Sequence, residues 1–230
     1  MGAALAGLVR RQITLAPGSP LRGLAGAGGE LWFVIAGSGQ LDLGTLRGAA
    51  LGANIGCWIP PGSEYRLDAD DAILLDAVAL PARPASPGAT AAAGSEGPRV
   101  SELAACEVEQ TGDRRFRVLL GPGRGCEAAT QFVGEIPPGR APEHSHPYDE
   151  VVLVLDGEGV AHAGGSDRAL APGTSVHLPR GLPHCLENTG QRTLVVLGVF
   201  HPGGSPAAKT AGTAKTAGTA KTAGTADASR

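Results

Sequence analysis

Turn residues recur in this chain at two places about 120 residues apart, and that repetition limits the fold more than any other feature of the sequence. Glu30 stands seven residues before Gly37, as Glu150 stands seven before Gly157. Gly37 precedes Pro60 by 23 residues and Gly157 precedes Pro179 by 22, so Pro60-Pro61-Gly62 corresponds to Pro179-Arg180-Gly181. Punctuation repeated at matching offsets reads as one structural unit copied in tandem. Between the turns the apolar runs are strand-sized: residues 31–36, 41–43, 57–59 and 72–80 in the first half, and 115–120, 130–136, 151–155 and 193–201 in the second. With 36 glycines and 18 prolines among 230 residues, long helices are not expected. Each half is long enough to bury a core. Residues 151–155 are nearly all branched aliphatics, the pattern of a strand covered on both faces.

The chemistry is concentrated between His144 and His184. Alternate residues of a strand share a face, so His144-Ser145-His146 sets two imidazoles side by side. Glu150 lies an even number of positions further on, and His184 follows a Pro-x-Gly turn able to return a second strand to the same spot. Three imidazoles and a carboxylate, with few cysteines nearby, suit a first-row divalent cation such as Fe, Mn, Ni, Zn or Cu rather than a closed structural zinc.

These segments resemble the two motifs of the cupin superfamily. The second, Gly-x5-Pro-x-Gly-x2-His-x3-Asn, is matched by Gly173, Pro179, Gly181, His184 and Asn188. The first is matched by His144, His146, Glu150 and Gly157; four residues separate Gly139 from His144 where the family has five. The resemblance implies an all-β protein of two cupin (double-stranded β-helix, or jelly-roll) barrels in tandem. It implies metal ligation by His144, His146, Glu150 and His184, and quercetinase-like dioxygenases offer the nearest chemical analogy. All six histidines lie after residue 143, and in the repeat His144, His146 and His184 fall on Leu24, Gly26 and Tyr65. The first copy is therefore expected to be a degenerate cupin without metal ligands, contributing structure, an interface or a wall of the pocket.

The resulting expectation is a degenerate barrel over 1–80, an Ala/Pro/Gly-rich linker over 81–99, a metal-binding barrel over 100–203 and a tail over 204–230. In that tail Lys-Thr-Ala-Gly-Thr-Ala repeats three times, so disorder is expected. Lys209, Lys215, Lys221 and Arg230 against Asp227 give the tail +3 of a net −3, leaving the body acidic and without an electrostatic reason to bind nucleic acid. The four scattered cysteines suggest neither a zinc knuckle nor a disulfide framework. Cys185 is expected to pack outside the site. With no apolar run of spanning length and no leader pattern, a cytoplasmic protein acting on a small molecule is expected; a homodimer stays open. Glu150 is the candidate general base as well as a ligand. Glu143 is expected in solvent, Tyr148 and Asp149 in a turn, His162 and His177 away from the site, and Arg117 and Gln131 facing the pocket. The expected function is dioxygenase-type chemistry on a chelating, oxygen-rich substrate. A non-oxidative isomerase, lyase or decarboxylase, or a non-enzymatic ligand-binding or sensing barrel, are the alternatives.

Overall fold

The structure is a computed structural model and describes residues 7–82, 99–208 and 210–211. Among these the one helical element is the 3-10 turn Leu103–Ala105, and no helix is long and apolar enough to cross a membrane. The first half contains β1 (Val9–Leu15), β2 (Leu21–Leu24), β3 (Glu30–Ala36), β4 (Ser38–Leu43), β5 (Leu46–Gly52), β6 (Ile55–Ile59), β7 (Glu64–Ala69) and β8 (Ile73–Ala79). After β9 (Arg99–Glu102) come β10 (Glu109–Thr111), β11 (Arg114–Leu120), β12 (Thr130–Ile136), β13 (Gly139–Arg140), β14 (His144–Ser145) and β15 (Asp149–Asp156). The chain then forms β16 (Gly159–Ala163), β17 (Ser166–Leu170), β18 (Ser175–Leu178), β19 (His184–Asn188), β20 (Leu194–His201) and β21 (Thr210–Ala211).

The duplication is visible in the strand order. One pair of sheets runs β1-β8-β3-β6 and β2-β7-β4-β5; the other runs β12-β20-β15-β18 and β14-β19-β16-β17. Glu30 sits opposite Ile59 and Ala79 as Glu150 sits opposite Leu178 and Phe200. Both central strands carry a register shift at the same place, between Val34 and Ala36 and between Val154 and Asp156. The repeated glycine is explained by the bend that follows. Gly37 and Gly157 both lie at positive φ, +85° and +87°, and a Cβ on either would collide with the next strand, at Ala72 or Leu194.

Each barrel buries its own core. Trp32, Val34, Leu41, Leu67, Leu75 and Ala77 fill the first, and Ile136, Val152, Val154, Leu178, Leu186 and Val196 line the second. A third cluster lies between them. Leu31, Phe33, Trp58 and Val78 project from the outer face of the first barrel and meet Val133, Val151, Leu153, Leu197 and Val199 of the second. Residues 151–155 are thus covered on both faces, Val151 and Leu153 toward the seam and Val152 and Val154 toward the barrel interior. At roughly 1.5–3 kcal/mol for each fully buried aliphatic or aromatic side chain, this seam is comparable to a small core and holds the barrels back to back.

Three features differ from the sequence expectation. Residues 99–102, expected around the start of the second unit, instead add β9 to the first barrel, with Val100 opposite Cys57. Gln131 occupies an outward position of β12, is buried in the seam and donates to the Trp32 carbonyl at 3.2 Å, so it does not face the pocket. Arg117 shares that outer face and pairs with Glu135 at 2.8 Å. Most of the linker, 83–98, and the tail at 209 and from 212 onward lie outside the described residues, so the expected disorder is addressed only at 204–208 and 210–211. There the chain is placed, and Thr210–Ala211 form a strand.

Candidate metal centre

Two short strands bring the histidines together. His144 in β14 lies directly opposite His184 in β19, and opposite residues of an antiparallel pair share a face. His146 projects two positions further along the same side. Glu150 comes from the start of β15 in the facing sheet, so the cluster spans both sheets at one end of the second barrel. The loops are tied together: the Gly181 amide donates to the His146 carbonyl at 2.9 Å, and the Arg180 amide donates to Asp149 Oδ1 at 3.0 Å. Asp149 therefore fastens the turn that delivers His184, a more specific role than the plain turn expected of it.

The ligating atoms of His144, His146 and His184 all lie within 4.8 Å of one another, and His146 and His184 are buried. Each ring places Nδ1 against a backbone carbonyl: His144 against Pro142 at 3.0 Å, His146 against Ala208 at 3.1 Å and His184 against Leu182 at 2.8 Å. A carbonyl only accepts, so each Nδ1 carries the proton and donates, and Nε2 is the nitrogen with the lone pair. Three imidazoles fixed in this tautomer are the arrangement that a metal ion requires of its histidines. Glu150 Oε2 lies 3.7 Å from His146 Nε2. Burial pushes its carboxyl up to about 8, so an uncompensated negative charge is unfavourable there and a neighbouring cation would restore it. The three clustered imidazoles fit a divalent cation, and Glu150, beside His146, would be a fourth donor.

Beside the donors is a cavity of about 90 Å³ lined by Phe116, Phe132, Ile136, Val152, Leu186 and Val196, with Tyr148 and Arg114 among its polar groups. The first barrel shows why the space exists. Register places Trp32 at the position of Val152 and Arg11 at that of Phe132. There the indole fills the interior, and Trp32 Nε1 and Arg11 Nη2 both donate to Glu30 Oε2 at 2.7 Å. Tyr65, at the position of His184, packs edge-on against Trp32 with ring centroids 4.8 Å apart.

Two residues of the pocket differ from or add to the sequence expectation. Tyr148, expected in a turn, is buried; its ring stacks on His146 at 4.6 Å and on Phe200 at 4.0 Å, and burial raises its pKa further above the ordinary phenol range. The even spacing of 144, 146, 148 and 150 carried that signal. Arg114 donates from Nη2 to the Leu186 carbonyl at 2.8 Å, and its burial lowers the guanidinium pKa. Leu186 is two residues from His184, about 7 Å along a strand, which puts Arg114 one small molecule's length from the histidines. Glu143 and His177 are exposed. His162 bridges Asp167 and Glu187 at 2.7 and 2.8 Å, outside the cluster. Cys185 is buried on the alternate face of β19 and is not among the clustered donors.

Comparison with known proteins agrees with this geometry. Residues 132–200 match the family model described as a cupin domain. No curated protein sequence matches the chain. Among solved structures, the putative glyoxylate-induced protein of Pseudomonas aeruginosa superposes with a TM-score of 0.70 at 15% identity, covering 84% of this chain and 74% of that one. The protein YlbA of E. coli gives 0.69 at 13%, covering 85% and 77%. A mutant of the Bacillus subtilis oxalate decarboxylase gives 0.65 at 15%, covering 86% and 69%. Residues 132–200 match a cupin domain, and the chain as a whole has the fold of two cupin barrels in tandem.

Proposed function

We propose that the protein is a metal-dependent enzyme of the dioxygenase type that acts on a small, chelating, anionic substrate in the second barrel. The observation that carries this reading is the clustering of three histidines, each with Nδ1 bound to a carbonyl, with a buried carboxylate 3.7 Å from one of them. An ion held by these four residues would keep coordination positions open for a substrate. The metal would supply Lewis acidity and, if iron, manganese, nickel or copper, electron transfer. Glu150 would hold the metal and take a hydroxyl proton from the substrate at Oε2. Arg114 would receive the anionic end of the substrate, and the apolar walls would exclude bulk water.

The cavity is smaller than the ~150 Å³ space that accommodates benzene, which favours a 2-oxo acid, an enediol or an oxalate-like dianion over a catechol ring. That size also supports the second reading, a non-oxidative lyase or decarboxylase. A decarboxylase acting on a small dianion stands among the structural neighbours.

The test is elemental analysis of the purified protein beside His184→Ala, followed by oxygen-electrode and anaerobic assays with small hydroxy and oxo acids. About one metal ion per chain, lost in the variant, with substrate-dependent oxygen uptake, is expected. Anaerobic turnover would select the non-oxidative reading. Absence of metal after reconstitution would overturn both. Glu150→Gln is expected to retain much of the metal and lose turnover.

A further inference from the structure

The segment after the cupin domain returns to the histidines, and it does so in three ways. Pro206 lines the cavity. The Ala208 carbonyl accepts from His146 Nδ1 at 3.1 Å. Thr210–Ala211 add β21 to the outside of β14, with Ala211 opposite His144 and Thr210 opposite Ser145. Nothing in the family match, which ends at residue 200, includes these contacts.

The duplication provides an internal control. In the first barrel β2, the counterpart of β14, is the outer strand of its sheet among the described residues. The extra strand is seen on the barrel that has the histidines and not on the one that lacks them. A two-residue strand has little pairing of its own, and β14 is held by a single residue pair to β19, His144 with His184. β21 supplies its other neighbour, and Gly204 anchors the start of the segment by exchanging hydrogen bonds with Thr130 Oγ1 at 2.9 and 3.0 Å.

We propose that residues 205–208 and the strand Thr210–Ala211 are a positioning element of the metal centre: the Ala208 carbonyl sets the tautomer and ring plane of His146, while β21 clamps the strand that carries His144. The inference rests on the reading of the four donors as a metal site. The chain thus completes its metal centre with a segment that lies, in sequence, at the head of a low-complexity tail. A partner fixed on a ligand's second nitrogen is worth about 10–100-fold in metal affinity, which sets the size of the effect.

The repeat makes a sharp test possible. Lys-Thr-Ala-Gly-Thr-Ala begins at 209, 215 and 221, so deleting residues 209–214 restores the same sequence immediately after Ala208. Four variants of the full chain would be titrated with Co(II), followed by its visible absorption and by competition with a chelator. Termination after Gly204 is expected to weaken Co(II) binding about 10–100-fold and to shift the absorption bands. Thr210→Pro, which removes a strand N–H without shortening the chain, is expected to weaken it several-fold. Termination after Ala211 and deletion of 209–214 are expected to bind as the parent does. Melting of the metal-free forms checks that the barrels are intact; should the Gly204 truncation fail to fold, Thr210→Pro decides. Parental affinity and spectrum in the Gly204 truncation or in Thr210→Pro would overturn the proposal, as would a loss in the 209–214 deletion. Failure of the parent itself to bind Co(II) would instead overturn the metal site.

Discussion

Copying one residue from the first barrel into the second separates stability from activity. Val152 lines the cavity, and the first barrel carries Trp32, fully buried, at the corresponding position. Phe132 stands where the first barrel has Arg11, so phenylalanine is a better fit at 152 than tryptophan. Empty volume costs about 24 cal/mol per Å³, so filling the 90 Å³ cavity would return at most about 2 kcal/mol. Overpacking works against that gain by about 1–3 kcal/mol. Val152→Phe should therefore be between about 1 kcal/mol less stable and 2 kcal/mol more stable than the parent in urea titrations. Its metal content should be unchanged, because none of the four donors moves, and its turnover should fall at least 100-fold. Parental activity would refute the placement of substrate in this cavity. A loss exceeding about 3 kcal/mol would refute the claim that the added side-chain volume goes into this cavity.

Asp76 is buried in the first barrel with Arg10 Nε 2.6 Å away, and burial, opposed by Arg10, leaves its pKa raised from 3.8 to about 6. The folded state then holds the proton more tightly than the unfolded one, so this group's contribution to stability falls as pH rises from about 4 to about 6, by up to ~3 kcal/mol, and is level above. Replacing the pair by Arg10→Met and Asp76→Leu should flatten that slope in urea melts and leave stability at pH 7 equal or higher; an unchanged slope would count against the assignment. Arg114→Gln should raise the KM or inhibition constant of anionic ligands roughly 10–100-fold, from the ~1.5–3 kcal/mol of a charged hydrogen bond, while neutral ligands are unaffected. Gly157→Ala and Gly37→Ala should each cost at least ~1–2 kcal/mol in thermal melts, because both combine positive φ with a clash.

What the sequence revealed and what it hid divide along one physical line. Local rules located the clustered histidines: alternation put 144 and 146 on one face, and the Pro-x-Gly turn returned His184 to them, whereas Glu150 arrives from the facing sheet. Facing across a sheet is a different kind of information, because it depends on which strands become neighbours. The sequence does not show that β12 and β11 turn Gln131 and Arg117 outward, nor that Arg114, in step with Phe116, faces the pocket. The tail was invisible on a third ground. Residues 205–211 have no apolar periodicity, and the Ala208 carbonyl and the pairing of Thr210–Ala211 with β14 are backbone contacts, which any sequence can supply.

The missing histidines of the first barrel were legible at once, but not what replaced them. Glu30 keeps the position of the metal-site carboxylate and remains buried, and a buried carboxylate needs a partner. Arg11 and Trp32 provide it from the positions that Phe132 and Val152 occupy in the second barrel. One guanidinium thus stands on Glu30 where a cation would stand on Glu150, and one indole takes up the interior that substrate would need. The two exchanges are coupled. Without Arg11 the carboxylate would be left with the indole N–H alone, and without Trp32 it would lose that donor and gain an open cavity. The absence of the histidines and the filling of the interior therefore belong to a single repacking around one retained glutamate.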